Sequence, residues 1–329
     1  MEEKIEKELK WAVLGTGIIA NEMTQALEKM GKNLYAVANR THEKAVEFAE
    51  KYGVQKVYDK IEDMFTDKET DIIYITTPHN THIKFMIEAL KNGKHVLCEK
   101  SITLNSEELE EAVKIAKEKD LILGEAMTIF NMPLYTELSE IVNSGKLGDV
   151  KMIQVNFGSY KEYDMNNRFF NRNLAGGALL DIGVYAISIT RLFMTSKPDN
   201  VLSQVKYAPT GVDEQVGIIM MNKEQQMSTI ALTLHSKQPK RVVIACEKAY
   251  IEITEYPRAD KAKIVYTETG EVEEITAGMT SNALQYELQN MEESVKTGIN
   301  KMKLEYTIDV MDIMTKLRKE WGMTYPEEE

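Results

Sequence analysis

Three side chains in this sequence have the types and spacing to move a proton together: Lys100, Asp181 and Tyr185. Glu99-Lys100-Ser101 closes an apolar run, and Gly176-Gly177-Ala178-Leu179-Leu180-Asp181-Ile182-Gly183-Val184-Tyr185 opens a helical one. On a helix beginning at the glycine pair, Asp181 and Tyr185 stand at i and i+4 and project from one face. Taking a hydride from a carbinol carbon requires a group that takes the hydroxyl proton. A tyrosine does this near neutral pH when an ammonium lowers its pKa, and Lys100 is the natural ammonium. Each residue also has an ordinary role open to it: Lys100 as a solvated strand-end lysine, Asp181 as a carboxylate at a helix N-terminus, Tyr185 as a core residue. Their joint occurrence favours the chemical reading.

A second constellation suits a dinucleotide. Gly15-Thr16-Gly17-Ile18-Ile19-Ala20 follows the first apolar run and opens a helix, the setting in which a G-x-G-x-x-G/A pattern carries meaning. Glycine lets backbone approach a pyrophosphate, and the helix N-terminus favours its charge. After the second apolar run, Asn39-Arg40-Thr41 offers a guanidinium and small polar groups without a carboxylate, which favours NADP over NAD. The alternative is an Arg40 that stacks on adenine or faces solvent, with NAD then equally served. Thr76-Thr77-Pro78-His79-Asn80 ends the fourth run, where ribose or nicotinamide contacts are expected, and His82 follows three residues after His79. The two histidines lack a third ligand, so no metal is expected. Glu99 and Lys100, at the end of the fifth run, complete the expected cofactor-binding set.

The elements that must position these groups are legible as alternating patterns. Strands are expected over Trp11–Leu14, Asn33–Ala38, Lys56–Tyr58, Ile72–Thr76, His95–Cys98 and Leu121–Ala126, with helices over Ile18–Lys29, His42–Tyr52, Thr81–Asn92 and Ser106–Lys119. This alternation predicts an α/β Rossmann domain, residues 1–126, built on a doubly wound parallel sheet. A helix over Pro133–Asn143 follows. Runs at Val150–Tyr160, Val201–Tyr207, Gln215–Met221, Met227–His235, Arg241–Ala245, Tyr250–Thr254 and Lys263–Glu268 then predict an open, mostly antiparallel sheet in an α+β domain over residues 127–329. Helices over Gly177–Phe193, Ala283–Thr297 and Thr307–Trp321 complete it, with the last placed to pack back on the first domain.

Composition narrows the function classes. The 329 residues, 43% hydrophobic and 28% charged, are enough for two cores, and a net charge of −12 opposes nucleic acid and anionic membrane. The apolar runs stop short of the roughly 20 residues of a membrane span, and the opening MEEKIEKELK is charged where a signal peptide is apolar. A cytoplasmic chain is expected. Cys98 and Cys246 are expected as reduced core residues.

Taken together, these residues resemble the glucose-fructose oxidoreductase, inositol dehydrogenase and rhizopine-catabolism (Gfo/Idh/MocA) family of NAD(P)-dependent oxidoreductases over essentially the whole chain. The run Gly176–Tyr185, with tyrosine where many members have histidine, is most similar to the dimeric dihydrodiol dehydrogenase and NADP-dependent xylose dehydrogenase branch. The resemblance implies Lys100 and Tyr185 as the acid/base pair, Asp181 as a substrate-orienting carboxylate, and a homodimer formed through the second sheet. It implies hydride transfer between NADP and a hydroxyl or carbonyl carbon of a sugar, polyol or dihydrodiol-like substrate. The competing reading is a cofactor-binding regulatory protein of the same fold without turnover. Two positions depart from the family. Ser101 replaces the usual proline, where a non-proline cis bond costs about 2.5–4 kcal/mol, so the placement of Lys100 is in question. Glu125-Ala126-Met127-Thr128-Ile129-Phe130 lacks the branch's tryptophan and arginine, so an unusual substrate pocket is expected. Met127 and Arg168 are its candidate contacts, with Phe169, Asn171 and Arg172 as pocket or loop contacts beside them; a solvated side chain is the alternative for the arginines.

Overall fold

A computed structural model describes residues 8–329, and the charged opening segment, residues 1–7, lies outside them. Six short strands form the first sheet: β1 (Trp11–Leu14), β2 (Ala36–Ala38), β3 (Lys56–Val57), β4 (Ile72–Ile75), β5 (His95–Glu99) and β6 (Leu123–Ala126). Their order is β3-β2-β1-β4-β5-β6, and every pairing is parallel. β1 and β4 are fully buried, as expected of strands covered on both faces. The helices between the strands are α1 (Ile18–Lys29), α2 (His42–Tyr52), α3 (Ile61–Thr66), α4 (His82–Lys91) and α5 (Ser106–Glu118). The order reverses between β1 and β4, so the carboxyl ends of these strands open on the crevice where ligands of such sheets bind.

After α6 (Thr128–Asn131) and α7 (Pro133–Asn143), β7 (Val150–Gly158) begins the second sheet. A π-turn over Leu179–Gly183 leads into α8 (Val184–Phe193). Seven strands follow: β8 (Asn200–Tyr207), β9 (Asp213–Met221), β10 (Met227–Thr233), β11 (Gln238–Cys246), β12 (Ala249–Thr254), β13 (Lys261–Tyr266) and β14 (Val272–Thr276). The eight strands run β14-β13-β12-β11-β7-β10-β9-β8; only β7 and β10 are parallel. One face packs on α8, and strands such as β9 alternate buried and exposed residues along their length.

Helix α9 (Ala283–Thr297) lays Leu284, Leu288 and Met291 on Ala20, Met23 and Leu27 of α1, while α10 (Leu304–Glu320) packs between α5 and α8. Three elements escape the sequence patterns: α3 and the four-residue α6 have too few residues to show a period, and β14 is a charged edge strand. Against the expectation of no such run, Arg172–Phe193 has the length and mean hydropathy, 1.3, of a membrane span, and 78% of its most apolar window is buried inside the fold. Cys246, expected in the core, is only partly buried at the end of β11.

Candidate active site

The turn after β1 is shaped by its glycines. Gly15 has φ +110°, and a Cβ there would lie 2.5 Å from Thr76 Oγ1 and 3.1 Å from the Thr76 carbonyl oxygen. Gly17 precedes α1 with open space where its Cβ would be, and no side chain caps the helix. Thr16 Oγ1 accepts a 2.8 Å hydrogen bond from Asn39 Nδ2, while Asn39 Oδ1 accepts from the Thr41 amide at 2.9 Å. Ile18 is 82% exposed at the tip, Ile19 packs against the α1 core, and Arg40 is exposed past the end of β2. An uncapped helix N-terminus, close-packed glycine backbone and a free-standing guanidinium fit a dinucleotide phosphate, so these residues are suited to NADP.

Beyond β4, Thr76 Oγ1 donates to the Leu14 carbonyl at 3.0 Å, and Thr81 Oγ1 donates to the Pro78 carbonyl and is hydrogen-bonded to the Thr77 hydroxyl. His79 Nε2 lies 3.0 Å from the Lys100 carbonyl oxygen; His82 places Nδ1 3.0 Å from the Ser101 oxygen and Nε2 2.7 Å from the Thr77 oxygen. Both histidines therefore tie the β4 loop to the lysine loop. The Lys100–Ser101 peptide bond is cis. Ser101 Oγ donates to the Leu180 carbonyl at 2.9 Å, fastening the lysine loop to the π-turn.

That fastening brings the chemical groups together. Lys100 Nζ donates to the Asp181 backbone carbonyl at 2.8 Å, stands 3.3 Å from Asp181 Oδ1, and lies 5.0 Å from the centroid of the Tyr185 ring. Arg168 Nη2 reaches within 3.7 Å of the same Asp181 oxygen from a side chain that is 59% exposed. The expected regular helix from the glycine pair is corrected here. Asp181 sits in the π-turn and only Tyr185 in α8, so Lys100 joins the two residues where a simple i, i+4 face does not. Gly177, at φ +127°, lies against Asp213, whose Oδ2 accepts from the Leu179 amide at 2.6 Å; Tyr325 donates its hydroxyl to the Gly176 carbonyl at 2.7 Å.

Burial and charge pull these groups in opposite directions. Burial alone would raise the Asp181 carboxyl, but Lys100 and Arg168 hold it below the ordinary aspartate range. Burial would lower Lys100, yet Asp181, Tyr185 and Glu99 hold its ammonium above the usual lysine value. Tyr185 goes the other way from the expectation: burial pushes it up to about 12, and the Lys100 charge only moderates the rise. The phenol is therefore protonated across the neutral range. Glu99 accepts from the Tyr74 hydroxyl and the Lys100 amide, and burial raises its carboxyl.

Other expected contacts are placed elsewhere. Met127 is fully buried in the core beneath α6, because the chain turns into that helix directly after β6. Asn171 caps its own turn through the Asn173 amide, and Arg172 reaches Thr324 and Glu329. Phe169 lies by the site, its ring 4.1 Å from both Lys161 Nζ and the Arg168 guanidinium carbon. Lys161, Asp213 and Tyr325 were not singled out by sequence pattern; their only signal is a polar residue bordering an apolar strand or helix. A separate cleft lined by Ser139, Phe193 and Tyr306 contains none of the chemical groups.

A glycine turn at the reversal point of a parallel sheet, joined to a lysine, carboxylate and tyrosine cluster, defines a nicotinamide-dinucleotide oxidoreductase. The oxidoreductase family with the NAD-binding Rossmann fold matches residues 9–127, and the GFO/IDH/MocA C-terminal domain matches residues 135–252. Trans-1,2-dihydrobenzene-1,2-diol dehydrogenase of Xenopus laevis is 30% identical over 329 residues, covering 96% of this chain and 99% of that one. Among solved structures, aldose-aldose oxidoreductase from Caulobacter crescentus, complexed with glycerol, has a TM-score of 0.86 at 20% identity, over 96% of this chain and 98% of its own. The 3-ketoreductase KijD10 from Actinomadura kijaniata, in complex with NADP and TDP-benzene, has a TM-score of 0.85 at 18% identity, over 95% and 98%. The chain belongs to the GFO/IDH/MocA oxidoreductase family.

Proposed function

We propose that this oxidoreductase uses NADP and acts on the hydroxyl or carbonyl carbon of a sugar, polyol or dihydrodiol-like substrate. The observation that carries the reading is Lys100 Nζ held between the Asp181 carboxylate, at 3.3 Å, and the Tyr185 ring, at 5.0 Å. The nicotinamide, when bound, supplies or accepts the hydride. Tyr185 exchanges the proton with the substrate oxygen. Protonated at neutral pH, Tyr185 donates to a substrate carbonyl oxygen in reduction, and its phenolate takes the hydroxyl proton in oxidation. Lys100 stabilises the phenolate left behind, and Asp181 fixes Lys100 and accepts a substrate hydroxyl. Arg40 takes the 2′-phosphate.

The test is fluorescence titration with NADPH and NADH, followed by an oxidation screen with NADP and xylose, glucose, inositol and a dihydrodiol. Tighter NADPH binding and turnover of at least one compound are expected. Failure to bind either nucleotide would overturn the reading.

We also propose a homodimer through the open face of the second sheet. Cross-strand pairing sets Met221, Met227, Met152, Ala245, Tyr250, Val265 and Val272 in one row on that face, with Met152 40%, Tyr250 38% and Val272 52% exposed. An apolar stripe of this length favours a second copy over water. Light scattering is expected to give twice the chain mass, and Tyr250→Asp to shift it toward the monomer.

A further inference from the structure

The charge around Asp181 is unbalanced. Lys100 and Arg168 converge on its one carboxylate, Lys161 stands in the same electrostatic neighbourhood, and the other nearby carboxyl, Glu99, is raised by burial and turned to the Tyr74 hydroxyl and the Lys100 amide. Lys161 follows β7 and rests its ammonium 4.1 Å from the Phe169 ring centroid; the Arg168 guanidinium carbon lies 4.1 Å from the same ring. Among the described residues no carboxylate lies within salt-bridge distance of Lys161 Nζ, whereas Lys240, the next cation out, is paired with Glu255 at 2.9 Å. Burial, reinforced by Arg168, Lys100 and Lys240, depresses the Lys161 ammonium despite the pull of Asp181. Composition does not explain the surplus, since the chain as a whole carries −12. Nor do the groups suited to a dinucleotide's phosphates: the Gly15–Gly17 turn and Arg40 belong to the ends of β1 and β2, while Lys161 and Arg168 lie in the segment that follows β7.

We infer that the substrate is an anionic one, a hydroxylated compound bearing a carboxylate or phosphate that Lys161 and Arg168 hold while the reacting carbon lies at Tyr185. The inference rests on the hydride-transfer reading of the same site. Each cation rests over the Phe169 ring, which limits the freedom it has left to lose on meeting the anion. Arginine supplies the planar donor pair and lysine the point charge.

The experiment is calorimetric titration of the NADP-saturated protein with glucose, glucuronate and glucose 6-phosphate, of which the last two add a carboxylate or a phosphate to the same ring. At least one charged sugar is expected to bind about tenfold or more tightly than glucose, with the advantage shrinking as salt rises. The one that gains identifies the anion. In Lys161→Met, and separately in Arg168→Met, the ratio of charged to neutral affinity is expected to fall to within about twofold of unity, the size left to exposed charges. Equal affinities in the native protein, no binding by any of the three, or an unchanged ratio in both variants would overturn the anion site. Turnover is read in parallel: anion preference without NADPH formation from any sugar would count against hydride transfer while leaving the anion site standing.

Discussion

Two glycine turns precede the two helices that matter here, and they are finished differently. At Gly15–Gly17 the helix N-terminus is uncapped and the space beside Gly17 is open. At Gly176–Gly177 the space is taken: Asp213 Oδ2 accepts from the Leu179 amide, and Tyr325 donates to the Gly176 carbonyl. A helix N-terminus favours an anion in either case. The first leaves the place for a ligand's phosphate, and the second fills it with the protein's own carboxylic acid. On the proposed function the first turn binds the dinucleotide, and the second holds Asp181 and Tyr185 in place.

The sharpest way to break this division is at Tyr185. Tyr185→Phe removes the exchangeable proton and is expected to lower kcat by about 10²–10⁴-fold while NADPH affinity stays within about twofold. A parallel loss of NADPH binding would mean that the second turn also serves the cofactor. Next in size is the acid that fills the second turn. Burial raises the Asp213 carboxyl to about 7 against the pull of the Leu179 amide and Arg318, with Tyr325 alongside. Folded Asp213 thus keeps its proton between about pH 4 and 7, where an unfolded aspartate has lost it. The resulting stabilisation is complete below the unfolded pKa and is lost as pH rises through 7. Asparagine imitates the protonated form at every pH. Asp213→Asn is expected to match native stability near pH 4 and to exceed it at pH 8 by on the order of 3 kcal/mol, read from urea midpoints. Glu125, also raised to about 7, acts equally in both proteins and cancels. A less stable Asn variant at pH 8 would show that the ionised carboxylate is what the helix requires.

The two glycines can be exchanged to separate their roles. A Cβ at Gly15 meets Thr76 Oγ1 at 2.5 Å, and one at Gly177 meets Asp213 Oδ1 at 2.1 Å, both at positive φ. Each alanine is expected to cost about 2 kcal/mol of stability. NADPH affinity should fall about tenfold only in Gly15→Ala, and kcat about tenfold only in Gly177→Ala. Matching losses in both would erase the distinction. The same contrast explains what the sequence made legible. The Gly15 turn is local, since glycines, strand and helix lie within a few residues, and α1 was bounded from pattern alone. Lys100, Asp181 and Tyr185 were legible through residue type at strand and helix ends. Asp213 and Tyr325 were not, because they reach the second turn from strands and tail far along the chain. Met127, expected at the pocket, is buried in the core, because a methionine after a strand reads the same whether it lines a pocket or a core.

The smallest expected effect tests whether the open turn takes a phosphorylated ribose. Arg40 is exposed past the end of β2, and Asn39 beside it is held by Thr16, so neither is committed to an acidic partner within salt-bridge distance among the described residues. An exposed guanidinium facing a dianion contributes modestly, so Arg40→Ala is expected to weaken NADPH about tenfold and NADH less than about twofold. Added salt should shrink the loss that Arg40→Ala causes for NADPH and leave the small loss for NADH unmoved, because only the former includes a charged contact to the 2′-phosphate. Asn39→Asp pushes in the same direction by another route: a carboxylate repels the 2′-phosphate and accepts from a 2′-hydroxyl, so NADH should gain on NADPH. If Arg40→Ala weakens both nucleotides alike, Arg40 stacks on the adenine instead, and the preference for NADP must then come from Thr16, Asn39 and Thr41.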